Sequence, residues 1–299
     1  MNSHSLYDIA FSLEENIHTT DRVAMISQFG NAENLYANSN FLYSVVSGRK
    51  INVKPKTIEK AKQLHEFIVK SNINTVLYSE PEYPALLHDI PDPPFLLYLR
   101  GNVSLFQTKK ISVVGTRNAD SRAMSLTKSL TVELVKSNYT ITSGLAKGID
   151  IMAHTTTMSC KGNTIGVLGS GIDITYPAAA KTVVRKMLDS DNLIISEYPP
   201  SVLPYKHHFP IRNRIIAGLS DITIVIQCPE RSGSSITASL AGDYGRELFV
   251  YNPGENYTTN YEGNVRILNT IPVENGFSSL EYLIETINAR ATSDAEVAR

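Results

Sequence analysis

Between Lys110 and Tyr251 the chain alternates short apolar runs with longer stretches whose apolar residues recur every three or four positions. The runs at 111–115 (Ile-Ser-Val-Val-Gly), 139–143, 164–169, 192–196, 221–227 and 247–251 are bounded by glycine or polar clusters, which predicts strands. The stretches at about 121–137, 149–160, 178–189, 211–218 and 234–244 predict helices. Nearly continuous apolar strands separated by helices imply a mostly parallel sheet covered on both faces. The expected class is therefore α/β and doubly wound.

Upstream the texture differs. Over 1–72, Leu13, Ile17, Val23, Met25, Ile26, Phe29, Leu35, Phe41, Leu42, Val45 and Val46 recur at helical spacing, and Gly30 and Gly48 stand where helices would stop. The stretch 21–46 predicts two short helices around Phe29-Gly30-Asn31, resembling helix–hairpin–helix or sterile-alpha-motif modules; a plain small helical bundle is the simpler and favoured reading. Pro84, Pro91, Pro93 and Pro94 then lead, as an extended connector, into the apolar run Phe95–Leu99, a further strand. The resulting division is a small helical domain over 1–75, an extended doubly wound domain over 76–288 and a frayed polar tail over 289–299.

Composition narrows the chemistry. The two cysteines, Cys160 and Cys228, are far apart and form no C-x-x-C pair, which argues against a zinc site and a disulfide framework. The N-terminus lacks a signal peptide's basic and apolar regions, and no apolar run approaches the roughly 20 residues of a membrane helix. The expected address is the cytoplasm. A net charge of −1 excludes a polycation, so any nucleic-acid binding must come from a local basic groove.

In a doubly wound sheet, ligands bind outside the carboxyl ends of the strands, at helix N-termini. Four junctions there are rich in small residues: Gly115 and Thr116, Ser143 and Gly144, Gly169 and Gly171, and Gly233 and Ser234. Three of them carry a cation: Arg117, Lys147 and Arg231. Glycine lets backbone amides approach an anion closely, so their coincidence on one edge predicts a phosphate-binding face. No junction is a G-x-G-x-x-G or Walker A sequence, so neither a nicotinamide cofactor nor ATP is indicated, and no cofactor is expected.

The segment 196–218 is more unusual. No acid occurs between Glu197 and Asp221, while Lys206, Arg212 and Arg214 interleave with Tyr205, His207, His208 and Phe209. Cations that track phosphates, set among rings that stack on unpaired bases, suit single-stranded nucleic acid. From composition, Phe209 is either a base platform or a core residue, and Arg212 and Arg214 either touch the strand or organise the loops.

In order from 113 to 254 stand V-V-G-T-R, S-G-L-A-K-G-I-D, T-I-G-V-L-G-S-G-I-D-x-x-Y-P, S-E-Y-P-P, H-F-P-I-R-N-R-I-I-A-G-L-S, E-R-S-G-S-S-I-T-A and G-R-E-L-F-V-Y-N-P-G. Together they resemble the successive motifs of the DNA processing protein A (DprA/Smf) family. The resemblance implies a Rossmann-like core, binding and protection of single-stranded DNA, loading of the RecA recombinase during natural transformation, a homodimer, and no catalysis. It also implies that Arg117, Lys206 and Phe209 form the binding pocket, with the glycine-rich loop at Ser143–Gly148. Three features depart from the family pattern. Asn118-Ala119-Asp120-Ser121 follows the arginine, and Asp120 would weaken phosphate binding if it pointed inward. Glu262-Gly263-Asn264 only approximates the family's G-x-N string. The winged-helix domain that many relatives carry at the C-terminus is not expected here.

Two alternatives belong to other functional classes. Phosphoribohydrolases of the same broad superfamily carry a P-G-G-x-G-T-x-x-E loop, but 232–238 has no glutamate and none follows before Glu247; Glu197 and Glu230 are remote substitutes. The other is a sensor of a free nucleotide. His154 has no partnered Ser or Cys motif and reads as a packed histidine, while Asp150 and Asp173 read as turn or cap carboxylates. No catalytic residue and no metal cluster is expected.

Overall fold

The computed structural model describes residues 4–14, 17–38, 55–255 and 257–297. The six expected strands form, within a residue or two, as β3 (Lys110–Val114), β4 (Thr140–Ser143), β5 (Thr164–Leu168), β6 (Leu193–Ser196), β7 (Ile222–Val225) and β8 (Glu247–Tyr251). They are parallel neighbours. The Phe95–Leu99 run supplies β2 (Leu96–Gly101), and a short strand that the sequence pattern does not announce, β1 (Asn74–Leu77), pairs with it antiparallel. With β9 (Gly276–Phe277) the order is β1-β2-β6-β5-β4-β3-β7-β8-β9. The chain moves outward from β3 through β4 and β5 to β6, then returns to the other flank of β3 as β7. Strand order therefore reverses between β3 and β7, which opens a crevice at their carboxyl ends.

Helices cover both faces, as the doubly wound class requires. Successive side chains of a strand point to opposite faces. Val113 accordingly packs with α6 (Ser121–Lys136), α7 (Ile149–Ser159) and α12 (Leu280–Val297), whereas Val114 packs with α9 (His208–Gly218) and α10 (Gly233–Asp243). Near the chain start lie α1 (Leu6–Ser12), α2 (Thr19–Phe29), α3 (Ala32–Ala37) and α4 (Pro55–Lys70). The expected turn is present: Gly30, at φ +82°, ends α2, and the Asn31 side chain caps α3 by accepting the Asn34 N–H at 2.8 Å. The rest of that helical stretch, 39–46, lies outside the described residues. Ile9, Phe11, Met25 and Leu35 share one apolar cluster with Leu96, Tyr98 and Ile194 of the sheet and with Val183 and Met187 of α8 (Lys181–Asp189).

Two further findings refine the sequence expectations. The last helix, α12, spans Leu280–Val297 and so reaches into the expected tail. The Gly263-Asn264 pair lies in α11 (Glu262–Leu268) and is architectural. The Asn264 side chain accepts the Cys228 N–H at 2.7 Å and donates to the carbonyls of Ile226 (3.0 Å) and Tyr251 (2.8 Å). It thus joins the ends of β7 and β8. Replacing Asn264 with Ala leaves buried backbone groups without partners, so Asn264→Ala should lower the urea-unfolding free energy by about 2–3 kcal/mol. A loss below about 0.5 kcal/mol, the range of an ordinary surface change, would contradict this role.

Candidate nucleic-acid interface

The crevice at the β3/β7 reversal holds a cavity of about 550 Å³. Its walls include four junctions: Gly115, Thr116 and Arg117 after β3; Ala146 and Asp150 after β4; Lys206, Phe209, Arg212 and Asn213 around the start of α9; and Ser232, Gly233 and Ser234 at the start of α10. A smaller cavity of about 220 Å³ adjoins it, lined by Arg117, Gly144, Ala146, Lys147, Tyr176, Pro177, Phe209 and Arg212. At the first turn of α10 the amides of Gly233 and Ser234 have no preceding turn to bond to, and the helix dipole favours an anion before them.

Phe209 is half-buried and lines both cavities, so it is not a core residue. Its ring fits a niche left by Gly169, where a Cβ would come within 2.9 Å of the ring. The Tyr176 ring lies 5.5 Å away, tilted by 43°, and the Arg117 guanidinium sits 5.7 Å from the Phe209 ring centre. Lys206 and Lys147 are exposed at the rims of the larger and smaller cavity respectively.

Arg212 is buried beneath this surface. It donates to the Gly144 carbonyl at 2.7 Å, to the Val167 carbonyl, and to the Asn213 side-chain oxygen at 3.3 Å. Asp150, in the first turn of α7, accepts the amides of Gly144 and Ala146, both at 3.2 Å. A Cβ on Gly144 would lie within 2.9 Å of both the Arg212 guanidinium and the Asp150 carboxylate, so only glycine fits there. Burial pushes the Asp150 carboxyl up to about 6, against the opposing pull of Arg212 and the loop amides. Burial likewise lowers Arg212 to about 10, with Asp150 opposing. Arg212 therefore organises the 143–148 loop while presenting one edge to the cavities.

The structure thus brings together Arg117, Gly144, Lys147, Lys206, Phe209, Arg212, Gly233 and Ser234. It places five other residues expected at the ligand differently. The Ser143 hydroxyl is buried and donates to the Val113 carbonyl at 2.7 Å. Gly169 serves Phe209, as described, and the Gly171 amide is taken by the Val202 carbonyl at 2.7 Å. Arg214 turns away, pairing with both Glu197 oxygens at 2.8 and 2.5 Å and donating to the Asp92 carbonyl at 2.8 Å. Arg231 is exposed and lies outside both cavity walls. Asp120 does not point inward: it caps α6 through the Ala123 amide and accepts from the Gln227 side chain at 2.7 Å. His154 is fully buried against the Thr164 hydroxyl at 2.7 Å, and burial pushes it down to about 3, in keeping with a packed histidine. Asp173 anchors a turn by accepting the Ser201 amide at 2.8 Å.

Among the described residues no group of His, Cys, Asp and Glu could hold a metal ion, and no helix is long and apolar enough to cross a membrane. The sequence model of the family described as DNA recombination-mediator protein A matches residues 74–275, more than half of the chain. The chain belongs to this family. Its relatives include DNA processing protein DprA of Bacillus subtilis, 40% identical over 67% of this chain and 67% of that protein. Protein Smf of Synechocystis is 34% identical over 83% of this chain and 64% of its own length; DprA of Streptococcus pneumoniae is 42% identical over 56% and 59%. The chain thus spans less than two thirds of the length of some of these relatives. The X-ray structure of the S. pneumoniae protein superposes with a TM-score of 0.75 at 27% identity, covering 94% of this chain and 98% of that one. DNA processing protein A from Helicobacter pylori, described for its single-stranded DNA binding mode, gives a TM-score of 0.64 at 29% identity, over 73% and 96%. The first of these superpositions places the Rossmann-like core and the front helices within this family's architecture.

Sequence reasoning missed Tyr176, Thr116, Asn213, Ser232 and Thr237, all in the wall of the larger cavity. A signal existed for the tyrosine: Tyr176-Pro177 closes the T-I-G-V-L-G-S-G-I-D-x-x-Y-P motif. The others are small polar residues that resemble ordinary turn formers.

The two kinds of arginine should separate in stability. Arg214→Ala strands the partly buried Glu197 carboxylate and should cost about 3–5 kcal/mol of unfolding free energy, whereas Arg117→Ala, at an exposed position, should stay within about 0.5 kcal/mol. Equal losses would contradict the division. Asp150 adds a pH dependence. Its folded-state value of about 6 exceeds the ordinary 3.8, so the folded chain holds that proton more tightly. This contribution to stability is complete below about pH 4 and is lost as the pH rises through about 6. Asp150→Asn has no such proton, and wild-type stability should fall relative to it across that window; parallel curves would contradict a raised Asp150.

Proposed function

We propose that this chain binds single-stranded DNA in the β3/β7 crevice and acts as a recombination mediator that protects the strand. The observation that carries this reading is the half-buried Phe209 ring beneath Arg117, with Lys206 and Lys147 at the two rims and the α10 N-terminus opposite. Cations and amides suit phosphates, and the ring suits an unpaired base. Many neutral polar groups of the cavity are already hydrogen-bonded within the protein. Asn213 donates to the Gly233 carbonyl, Thr237 donates to the same oxygen, and Ser232 bonds with Ser234. Recognition through backbone and stacking, with little base reading, follows from that pattern.

Loading of RecA, homodimerisation and a cytoplasmic location rest on the family resemblance and belong to the same proposal. So does the absence of a catalytic step. Asp150 is the one carboxylate in the cavity wall among the described residues, and one of its oxygens already holds two loop amides. Free-nucleotide binding is the competing reading, because a cavity of about 550 Å³ at a strand-order reversal has the size of a small-ligand pocket.

Fluorescence anisotropy with labelled oligo-thymidine separates the two. Contact with about four phosphates predicts a slope of log affinity against log salt near −3. Arg117→Ala and Lys206→Ala should each reduce the slope by about 0.7. Phe209→Ala should weaken binding about tenfold at every salt concentration. A slope near zero, or a mononucleotide that competes as well as the strand, would favour the sensor reading.

A further inference from the structure

We propose that Tyr176 is a second stacking residue, so that two successive nucleotides of a bound strand straddle Phe209, one in each cavity, with Arg117 on the phosphate between them. The inference rests on the single-strand reading above and specifies the unit of strand that the crevice holds.

The arrangement of cations carries it first. Lys206 lines the larger cavity, Lys147 the smaller, and Arg117 both. Two linked nucleotides have three flanking phosphates, and the order Lys206, Arg117, Lys147 supplies one cation for each. Arg117 makes no ion pair among the described residues, so its charge is available at the middle position.

The rings carry it second. Phe209 and Tyr176 lie 5.5 Å apart with their planes inclined at 43°. Rings so inclined cannot both lie flat on one planar base, so two stacking faces imply two bases. Packing does not account for Tyr176: it is 44% exposed at the cavity mouth, and its hydroxyl makes no hydrogen bond among the described residues. A large aromatic left half in water beside a basic cavity is what a stacking platform requires.

The chain contains no tryptophan, so Tyr176→Trp introduces a single indole at the proposed platform, whose emission long-wavelength excitation separates from that of the tyrosines. Oligo-thymidine, and a thymidine dinucleotide phosphorylated at both ends, should quench this emission with the midpoint that anisotropy reports for the strand. Wild type should bind that dinucleotide about tenfold more tightly than the doubly phosphorylated mononucleotide. Tyr176→Ala should lose most of this gain, with a clearly smaller loss of mononucleotide affinity, and Tyr176→Phe should keep it. Strand binding without quenching of Tyr176→Trp would overturn the proposal. So would a Tyr176→Ala variant that binds the dinucleotide like wild type, or one that loses mononucleotide and dinucleotide equally. If Arg117→Ala and Phe209→Ala also leave strand binding intact, the single-strand reading itself fails, and with it this inference.

Discussion

A guanidinium buried under the carboxyl edge of the sheet organises most of what surrounds the crevice. Arg212 leaves water only because the carbonyls of Gly144 and Val167 and the Asn213 side chain receive its N–H groups. Those contacts tie α9 to the loop after β4 and to the end of β5. Asp150 completes the arrangement from α7, holding the two loop amides that Arg212 does not reach. Phe209 and Lys206 are set by the same helix start, so their positions over the cavity depend on a charge that itself stays beneath the surface.

The distribution of cations follows a similar economy. A chain carrying 28 Lys and Arg against 29 Asp and Glu has no general attraction for a polyanion. Several of its arginines are also committed to structure. Arg22 lies between the Phe11 and Phe95 rings and donates to the carbonyls of Phe11, Glu14 and Ile17, while Arg214 is bound to Glu197. Exposed at the crevice are Arg117, Lys147 and Lys206. Attraction for phosphate is therefore confined to a small area and arises from side chains left without acidic partners there.

The parallel sheet was legible because most of its strands are short, largely apolar runs, a signal independent of distant partners; β4, Thr140-Ile141-Thr142-Ser143, was legible from its β-branched residues instead. β1 was not, since Asn74-Thr75-Val76-Leu77 is short and its pairing with β2 antiparallel. At the crevice, residue type was legible but role was not. Gly144, Gly169 and Gly171 look alike in sequence. One admits Arg212 and Asp150, one admits a phenyl ring and one gives its amide to Val202. Arg212 and Arg214 stand two residues apart on one helix and face different neighbours, because Gly144 and Val167 await one and Glu197 the other. Such partners are brought together by the fold, and no local spacing announces them.

The cluster that joins Phe11, Met25 and Leu35 to Tyr98 and Ile194 makes the front helices and the sheet one packing problem. The front helices and that face of the sheet share one interior, so neither side owns a complete apolar surface. A change of volume at Tyr98 is therefore felt by the side chains of α1 and α2 that share its cluster. The front helices thus complete the interior of the sheet face they cover.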